Sequence, residues 1–372
     1  MARVSIENLT KVYGKDVVAV DDVSIDIQDG EFVTLVGPSG SGKSTILRML
    51  AGIVSATDGT ISFGSHDVTN TPPQQRDIAM VFQNYALYPN MTVRGNMEFG
   101  LKMQGMAKQK RAEAVEEAAA MLQIQDLLDR EIQALSGGQQ QRVALGRSLV
   151  RDPEVFLLDE PLANLDAKLR VDMRATLVEL QRKLGVTTVY VTHNQIEAMT
   201  MSDRVAVVHQ GEIQQLAAPQ KLFNNPTNQF VADFIGTPSM NFLDCEVTHE
   251  SDSVILDTGI HQITLPTGEE SVVSMQEKTT NGANYTLGVR PQHFNVNAEG
   301  GATGETSRTA RMEVIMVETA GDEYILHLEK NGERVIVVVD EGTEVARGDT
   351  IEIEFIPERM HLFDAADGRA VV

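Results

Sequence analysis

Short apolar runs rich in β-branched residues alternate with longer amphipathic stretches through residues 1–236 of the 372-residue chain. Strands buried on both faces are apolar at every position, which predicts four parallel strands at Phe32–Val36, Val155–Asp159, Val189–Thr192 and Val205–Val208. The stretches between them predict helices at Lys43–Ala51, Lys108–Leu122, Gln139–Val150 and Ala167–Leu184. This alternation predicts an α/β sheet flanked by helices.

The pattern changes after Phe234–Leu243, a segment punctuated by Gly and Pro. Beyond it, short runs with alternating apolar and polar positions predict strands, among them "YTLGVR", "RMEVIMVE", "EYILHLE", "RVIVVVD" and "TIEIEFI". A polar, glycine-rich segment, Asn297–Ser307, is predicted to be a loop between two β-rich halves. We therefore predict an α/β domain over residues 1–236 and a small all-β barrel domain over residues 237–372.

Charge and cysteine content narrow the class of protein. The chain has 53 acidic and 31 basic residues, a formal net charge of −22, which disfavours a nucleic-acid partner or direct binding to anionic lipid. The excess of acid also suggests a host with a salty cytosol, where screening weakens the self-repulsion of the surface. The apolar runs are too short to span a bilayer. The single cysteine, Cys245, cannot form an internal disulfide, which fits a reducing compartment.

The segment "GPSGSGKST" follows a predicted strand and precedes a predicted helix, which is the expected setting of a phosphate-binding loop. Its glycines let backbone N–H groups surround phosphate oxygens, and the helix N-terminus adds a favourable dipole. Lys43 is predicted to reach the β and γ phosphates, and Ser44 to offer a hydroxyl to Mg²⁺. The predicted nucleotide-binding residues here are Gly37, Pro38, Ser39, Gly40, Ser41, Gly42, Lys43, Ser44 and Thr45.

Two adjacent carboxylates end the predicted strand Val155–Asp159. Asp159 suits the second protein contact to Mg²⁺ in a nucleoside triphosphate site. Glu160 follows it, in a position to polarise water toward the γ-phosphate. Together with the loop at residues 37–45 these carboxylates fit a P-loop ATPase or a P-loop kinase.

A second candidate phosphate site lies far from the loop in sequence, in "LSGGQ" at residues 135–139. A serine hydroxyl, two glycines that allow close backbone approach, and the start of a helix together form an anion-binding site. A kinase has no use for this element. Its four predicted phosphate-binding residues are Ser136, Gly137, Gly138 and Gln139.

The phosphate loop, "LSGGQ", the strand with Asp159 and Glu160, and "VTH" occur in the order that resembles the ATP-binding cassette of ABC transporters. The resemblance implies an ABC-type domain with a RecA-like core and a helical subdomain at about residues 84–150, followed by an OB/TOBE-like regulatory β domain. It implies an ATP hydrolase coupled to transport. It also implies that two cassettes face head to tail, so that each ATP lies between one protomer's residues 37–45 and the other's "SGGQ".

Further roles come only from this resemblance. Tyr13 matches the aromatic that stacks on adenine, and Gln83 matches a glutamine that contacts Mg²⁺ and the attacking water. His193 matches a switch histidine at the γ-phosphate, and Asp166 belongs to "LANLD", the loop that crosses the dimer interface. With Glu160, these assignments give a catalytic set of Glu160, His193 and Gln83 and a metal set of Ser44, Gln83 and Asp159.

Two positions depart from the family pattern. Ala163 stands where a serine usually precedes "NLD", which removes one possible hydrogen bond across the interface. Asn194 stands where an aspartate usually follows the switch histidine. Neither change removes a predicted ligand of the γ-phosphate or of Mg²⁺, so we expect hydrolysis to survive.

Longer segments resemble the ATPases of carbohydrate importers, among them "QQRDIAMVFQNYALYPNMTVRGNM", "DEPLANLDAKLRVDMR" and "GVRPQHF". This resemblance implies two membrane permeases, an extracytoplasmic solute-binding protein, and a homodimer or a heterodimer with a paralogous ATPase at the cytoplasmic face of the membrane. Tyr85, Leu87 and Tyr88 are predicted to form an apolar patch that receives the permeases. A polyamine, ferric-iron or inorganic-ion importer is the alternative, and a non-transport P-loop ATPase or kinase is disfavoured by "LSGGQ".

Overall fold

The computed structural model of the protein describes residues 2–297 and 308–372. The chain divides into two compact units, Met1–Lys221 and Leu222–Val372. The predicted loop Asn297–Ser307 lies, beyond Asn297, outside the described residues. Within the described residues, no helix is both long enough and apolar enough to cross a bilayer.

The first unit contains two sheets. Their strands are β1 (Val4–Tyr13), β2 (Val17–Ile27), β3 (Phe32–Val36), β4 (Asp58–Phe63), β5 (His66–Asp67), β6 (Ile78–Val81), β7 (Val155–Asp159), β8 (Thr187–Thr192), β9 (Arg204–His209) and β10 (Glu212–Ala217). One sheet is antiparallel, in the order β2-β1-β4-β5, and the other has the order β10-β9-β3-β8-β7-β6. Strands β6, β7, β8, β3 and β9 are parallel, and β10 pairs antiparallel with β9. The carboxyl ends of β3, β8 and β7 therefore meet at one edge of the sheet, where α/β proteins bind ligands.

Helices connect these strands. Their bounds are α1 (Lys43–Leu50), α2 (Val93–Met103), α3 (Lys108–Met121), α4 (Gly137–Leu149), α5 (Ala167–Leu184) and α6 (Gln195–Met201). Helices α1, α4 and α6 pack against strands of the larger sheet. Helix α7 (Pro219–Asn224) follows β10 and includes the last residues of the first unit and the first residues of the second. Helices α2, α3 and α4 come between β6 and β7 and fall inside the predicted helical subdomain. Their apolar faces share a core that includes Met97, Val115 and Val143, each completely buried.

The sequence predicts the central elements of this unit closely. Strands β3 and β7 and helix α5 have the predicted bounds, because each is a strongly patterned segment between clear turn residues. Helix α4 begins at Gly137, two residues before the predicted start at Gln139. The difference arises because Ser136 caps the helix, so that both glycines after it become helical. The antiparallel sheet formed by β1, β2, β4 and β5 was not predicted.

The second unit is dominated by antiparallel strands, as predicted. They are β11 (Asn241–His249), β12 (Ser253–Thr258), β13 (Gln262–Pro266), β14 (Ala283–Val289), β15 (Phe294–Asn297), β16 (Thr309–Ala320), β17 (Glu323–Lys330), β18 (Glu333–Asp340), β19 (Thr350–Phe355) and β20 (Met360–Asp364). Two five-stranded sheets result, β13-β12-β11-β14-β20 and β15-β19-β16-β17-β18. Apolar side chains from both sheets form one core with helix α9 (Glu270–Lys278), which the alternating pattern did not predict.

Residues 222–235, which include helix α8 (Gln229–Phe234), belong to the second unit. The side chain of Arg290 in the β domain is completely buried and donates hydrogen bonds to the backbone oxygens of Phe223, Ala232 and Ile235. Burial lowers the pKa of the Arg290 guanidinium to about 10, so it stays charged at neutral pH. Because of these bonds, the second compact unit begins at Leu222, before the domain boundary predicted after residue 236. That domain boundary stays a prediction.

Candidate functional site

The loop between β3 and α1 has the backbone shape that a phosphate-binding loop requires. Gly40 and Gly42 have φ angles of 81° and 106°, in the region that favours glycine. A Cβ atom on Gly37 would collide with the backbone oxygen of Val208, and one on Gly42 with that of Ala19. Glycine is therefore needed at these positions for the loop to curl over the end of β3 and lead into α1.

Lys43, the first residue of α1, lies inside this loop. Its Nζ donates hydrogen bonds to the backbone oxygens of Gly37 at 2.9 Å and Pro38 at 2.7 Å. Burial lowers the pKa of Lys43, while the carboxylates of Glu160 and Asp159 act in the opposite direction. The ammonium group is thus held at the centre of the predicted phosphate site.

The predicted metal ligands Ser44 and Asp159 are brought together. The Ser44 hydroxyl donates a hydrogen bond of 3.0 Å to Oδ1 of Asp159, although 115 residues separate them in sequence. Asp159 is buried, which raises the pKa of its carboxyl group. One hydroxyl and one carboxylate suit Mg²⁺, which completes its octahedral shell with water and phosphate oxygens. The described part of the chain has no cluster of three or more His, Cys, Asp or Glu residues able to hold a metal.

The three predicted catalytic residues meet at one oxygen atom. Gln83 follows β6 and donates from Nε2 to Oε2 of Glu160 at 3.3 Å. His193 follows β8, and its Nδ1 lies 3.2 Å from the same oxygen. Glu160 follows β7 and has a φ angle of 45°, a left-handed conformation that is unusual for a residue with a side chain. The carboxyl ends of three neighbouring strands thus supply the set.

Ser136 and Gln139 form a capping box at the start of α4. The Ser136 hydroxyl accepts from the Gln139 backbone N–H, and the Gln139 side chain accepts from the Ser136 N–H. Within residues 2–297 and 308–372, no hydrogen bond or ion pair joins these two residues to the loop at residues 37–45. The N-termini of α1 and α4 are therefore both formed in one chain. Among the described residues, no hydrogen bond or ion pair connects the two predicted phosphate sites.

The remaining predicted residues occupy exposed or capping positions. Tyr13 ends β1 and is 42% exposed, with the Nζ of Lys11 lying 5.1 Å from its ring centre. Asp166 caps α5 by accepting from the backbone N–H of Leu169. Asn194 caps α6 by accepting from the backbone N–H of Glu197. An aspartate at residue 194 would make the same hydrogen bond, so this departure preserves the local structure.

A buried polar cluster next to His193 was missed in the sequence. It consists of Tyr190, Thr192, Glu197 and, at its edge, Arg170. The one signal available was the position of Glu197, three residues after the helix cap Asn194, which is also the position of the acidic residue in a capping box. In the structure its side chain instead turns inward.

The geometry fits a P-loop nucleoside triphosphatase whose chain carries two separate helix N-termini predicted to bind phosphate. Comparison with known proteins agrees. The ABC transporter family model matches residues 20–163, the MalK OB fold domain matches residues 236–294, and the TOBE domain matches residues 287–363. The chain belongs to the ABC transporter ATP-binding family, so it is an ABC ATPase followed by OB-fold and TOBE domains, as the sequence predicted.

Relatives match over the full length. The chain is 49% identical to the xylose/arabinose import ATP-binding protein XacJ of Haloferax volcanii, over 100% of this chain and 96% of that protein. It is 44% identical to the trehalose/maltose import ATP-binding protein MalK of Thermococcus litoralis, over 100% of both. Among solved structures, the dimeric MJ0796, a bacterial ABC transporter cassette, is 30% identical with a TM-score of 0.53, covering 58% of this chain and 98% of that one. A post-hydrolysis state of the same cassette, bound to ADP and Pi, is 31% identical with a TM-score of 0.52, covering 58% and 98%.

Proposed function

We propose that this protein hydrolyses ATP in order to drive import of a carbohydrate or polyol through an ABC transporter. The observation that carries the proposal is the pair of preformed phosphate-binding helix N-termini, α1 and α4, on one chain without a link between them. Each ATP then lies between residues 37–45 of one protomer and Ser136–Gln139 of the other. The dimeric structure of MJ0796, a bacterial ABC transporter cassette, supports the formation of a dimer.

The residues of the site have separate roles in binding the nucleotide, holding Mg²⁺ and activating water. Lys43 and the N–H groups of the loop bind the phosphates, and the exposed ring of Tyr13 offers a face for adenine. Ser44, Asp159 and Gln83 would hold Mg²⁺, which neutralises phosphate charge when bound. Glu160 accepts a proton from the attacking water, because its carboxylate points from the end of β7 toward Gln83 and His193. His193 and Gln83 fix the orientation of that carboxylate.

A groove in the first unit suits the membrane partners. It has a volume of about 710 Å³ and lies between the predicted helical subdomain and the end of β6. Tyr88, Phe99 and Met103 give it an apolar surface, and Arg147 and Arg151 give it positive charge. Only part of the predicted patch contributes, since Tyr85 is buried and Leu87 packs against the core, whereas Tyr88 is 39% exposed.

The groove supports docking of cytoplasmic segments of two permeases, which would hold the ATPase at the inner face of the membrane. An extracytoplasmic solute-binding protein would deliver the substrate. The ATPase would act as a homodimer or as a heterodimer with a paralogue. A sugar or polyol is favoured over a polyamine, ferric iron or another ion because the relatives named above are import proteins for xylose/arabinose and for trehalose/maltose.

This proposal is tested by purifying the ATPase in a complex with its two permeases and placing the complex in lipid. We expect ATP hydrolysis to rise when a solute-binding protein loaded with sugar is added, and to stay at its basal rate with the empty binding protein. Stimulation by a polyamine-binding or ferric-iron-binding protein instead would overturn the substrate class. Absence of hydrolysis under all these conditions would contradict the ATPase assignment.

A further inference from the structure

The buried carboxylate of Glu197 has no part in the roles assigned above. It lies on α6, four residues after His193, and is 3% exposed. Its Oε2 atom accepts hydrogen bonds from the hydroxyls of Tyr190 and Thr192, each at 2.7 Å. A buried carboxylate is costly unless several groups compensate its charge, so this arrangement specifies one orientation of the side chain.

Hydrogen bonds connect Glu197 to the residues on both sides of His193. The Thr192 hydroxyl, which donates to Glu197, accepts from the backbone N–H of Asn194 at 3.0 Å. The Asn194 side chain in turn accepts from the backbone N–H of Glu197 at 3.2 Å. His193 therefore lies between two residues that are both anchored to Glu197, while its own side chain is 58% exposed. The anchors fix where its imidazole stands relative to Glu160.

Glu197 also connects this loop to the interface loop Leu162–Asp166. Its Oε1 atom lies 3.9 Å from Nε of Arg170, a buried nitrogen that makes no hydrogen bond within the described residues. The terminal nitrogen of Arg170 donates to the backbone oxygen of Leu165 at 2.8 Å. One residue later, Asp166 caps the helix that carries Arg170. A shift of either loop thus changes the position of this charged pair.

The same pair faces the catalytic carboxylate across a small cavity. The cavity has a volume of about 40 Å³, and Glu160, Ala163 and His193 line it together with Arg170 and Glu197. The pair is 3.9 Å apart, Glu197 is buried and Arg170 is partly exposed, so a gain in stability is small because desolvation of the carboxylate offsets the attraction between the charges. A role in fixing the geometry of the two loops explains its place better.

We propose that Glu197 is a positioning residue for ATP hydrolysis, which holds His193 beside Glu160 and, through Arg170, links it to the interface loop. The inference rests on the proposed function, because it requires that His193 and Glu160 act on ATP. Glu197 touches none of the predicted nucleotide ligands at residues 37–45. Its loss therefore lowers kcat and leaves KM for ATP unchanged.

Glu197→Gln tests this inference in the full-length protein, because the amide has the shape of the carboxylate but lacks its charge. We expect kcat to fall about tenfold, equivalent to about 1.4 kcal/mol of transition-state stabilisation, with KM within about twofold of wild type. Glu197→Ala, which removes every acceptor, should lower kcat about 100-fold. Arg170→Met should lower kcat as Glu197→Gln does, and the double variant should lose little more.

Glu179→Gln is the matched control, since this glutamate lies on the exposed side of α5 and should leave kcat unchanged. Thermal unfolding of each variant shows whether the fold survives, and Glu197→Gln decides the question if Glu197→Ala unfolds. Wild-type kcat in a folded Glu197→Gln variant would refute the positioning role. A fall in kcat matched by a rise in KM would also contradict it, as would additive effects in the double variant for the Arg170 link. If the wild-type protein itself does not hydrolyse ATP, the proposed function fails instead.

Discussion

At the scale of single residues, the position of Glu160 is the most specific feature of the site. The residue has a left-handed backbone, a conformation that costs energy and persists only where the surroundings enforce it. Here its backbone N–H donates to the oxygen of Val191 on β8 at 2.9 Å, and its carboxylate meets Gln83 and His193. We infer that the strained turn directs the carboxylate toward the phosphate loop.

Glu160→Gln tests the role of this carboxylate. The amide cannot accept a proton from water, so we expect kcat to fall by about 100-fold or more, within the range that a general base contributes. ATP affinity should persist because Lys43 and the loop are unchanged, and ATP-bound dimers should accumulate in size-exclusion chromatography. Glu154→Gln, an exposed carboxylate just before the same strand, is the control and should behave as wild type. Rapid turnover by Glu160→Gln would remove Glu160 from its role.

At the scale of elements, the N-terminus of α4 is a helix start, and under the proposed function it would also bind the partner's ATP. The capping box supports the first task by satisfying two backbone N–H groups. The second depends on the absence of negative charge near the helix end, since the incoming γ-phosphate is anionic. These two tasks can be separated by substitution.

Ser136→Asp separates them, because aspartate caps a helix as well as serine does but repels phosphate. We expect the melting temperature and the affinity of the monomer for ATP to stay near wild type, while hydrolysis falls at least about tenfold, as a repulsion of about 1.4 kcal/mol or more would produce. Thr92→Asp is the control. It introduces an aspartate at the N-cap of α2 and should leave hydrolysis unaffected. Loss of ATP binding by the Ser136→Asp monomer would show that Ser136 contacts the nucleotide of its own chain.

Elements with strong local patterns, such as β3, β7 and α5, could be predicted because their burial is continuous or strictly periodic. The antiparallel sheet of β1, β2, β4 and β5 could not, because its register depends on strands far apart in sequence, as in the pairing of Val4 with both Ile27 and Phe63. The positions of Asp159 and Glu160 after a predicted strand pointed to a site at the end of β7, and the structure places both residues there. His193 was assigned from the family resemblance, and its role stays a prediction.

Glu197 shows what the sequence could not reveal. A glutamate three residues after a helix cap is expected to bond the backbone at the surface. In the structure Glu197 is buried because Tyr190 and Thr192, on the buried strand β8, point hydroxyl groups at it. The inward orientation of the Glu197 side chain depends on tertiary packing, which no local pattern of residues encodes.

At the scale of the whole molecule, the predicted nucleotide ligands and the β domain lie in different compact units. Every predicted nucleotide ligand lies in Met1–Lys221. The segment 222–235 belongs to the other unit, where Ala232 packs with Met240 and Phe363 and Arg290 binds three backbone oxygens. We therefore expect the residue at which the chain is truncated to affect how much it aggregates.

Two truncated chains test this division. A chain ending at residue 221 should bind ATP as the full chain does, since it keeps every predicted ligand. A chain ending at residue 240 should bind ATP equally well but aggregate more, because it exposes Val231 and Ala232, which are completely buried in the intact protein. Calorimetry of ATP binding and light scattering measure the two effects. Loss of binding in both chains would show that the second unit contributes to the nucleotide site.

We propose that one chain does not contain a complete catalytic centre, so that two copies must enclose each ATP. ATP turnover per chain, measured on the isolated wild-type protein over a dilution series, tests it most directly, with sedimentation to report the fraction of dimer. We expect turnover per chain to fall in step with the dimer fraction and to vanish where only monomer remains. Constant turnover per chain in the purely monomeric range would contradict it.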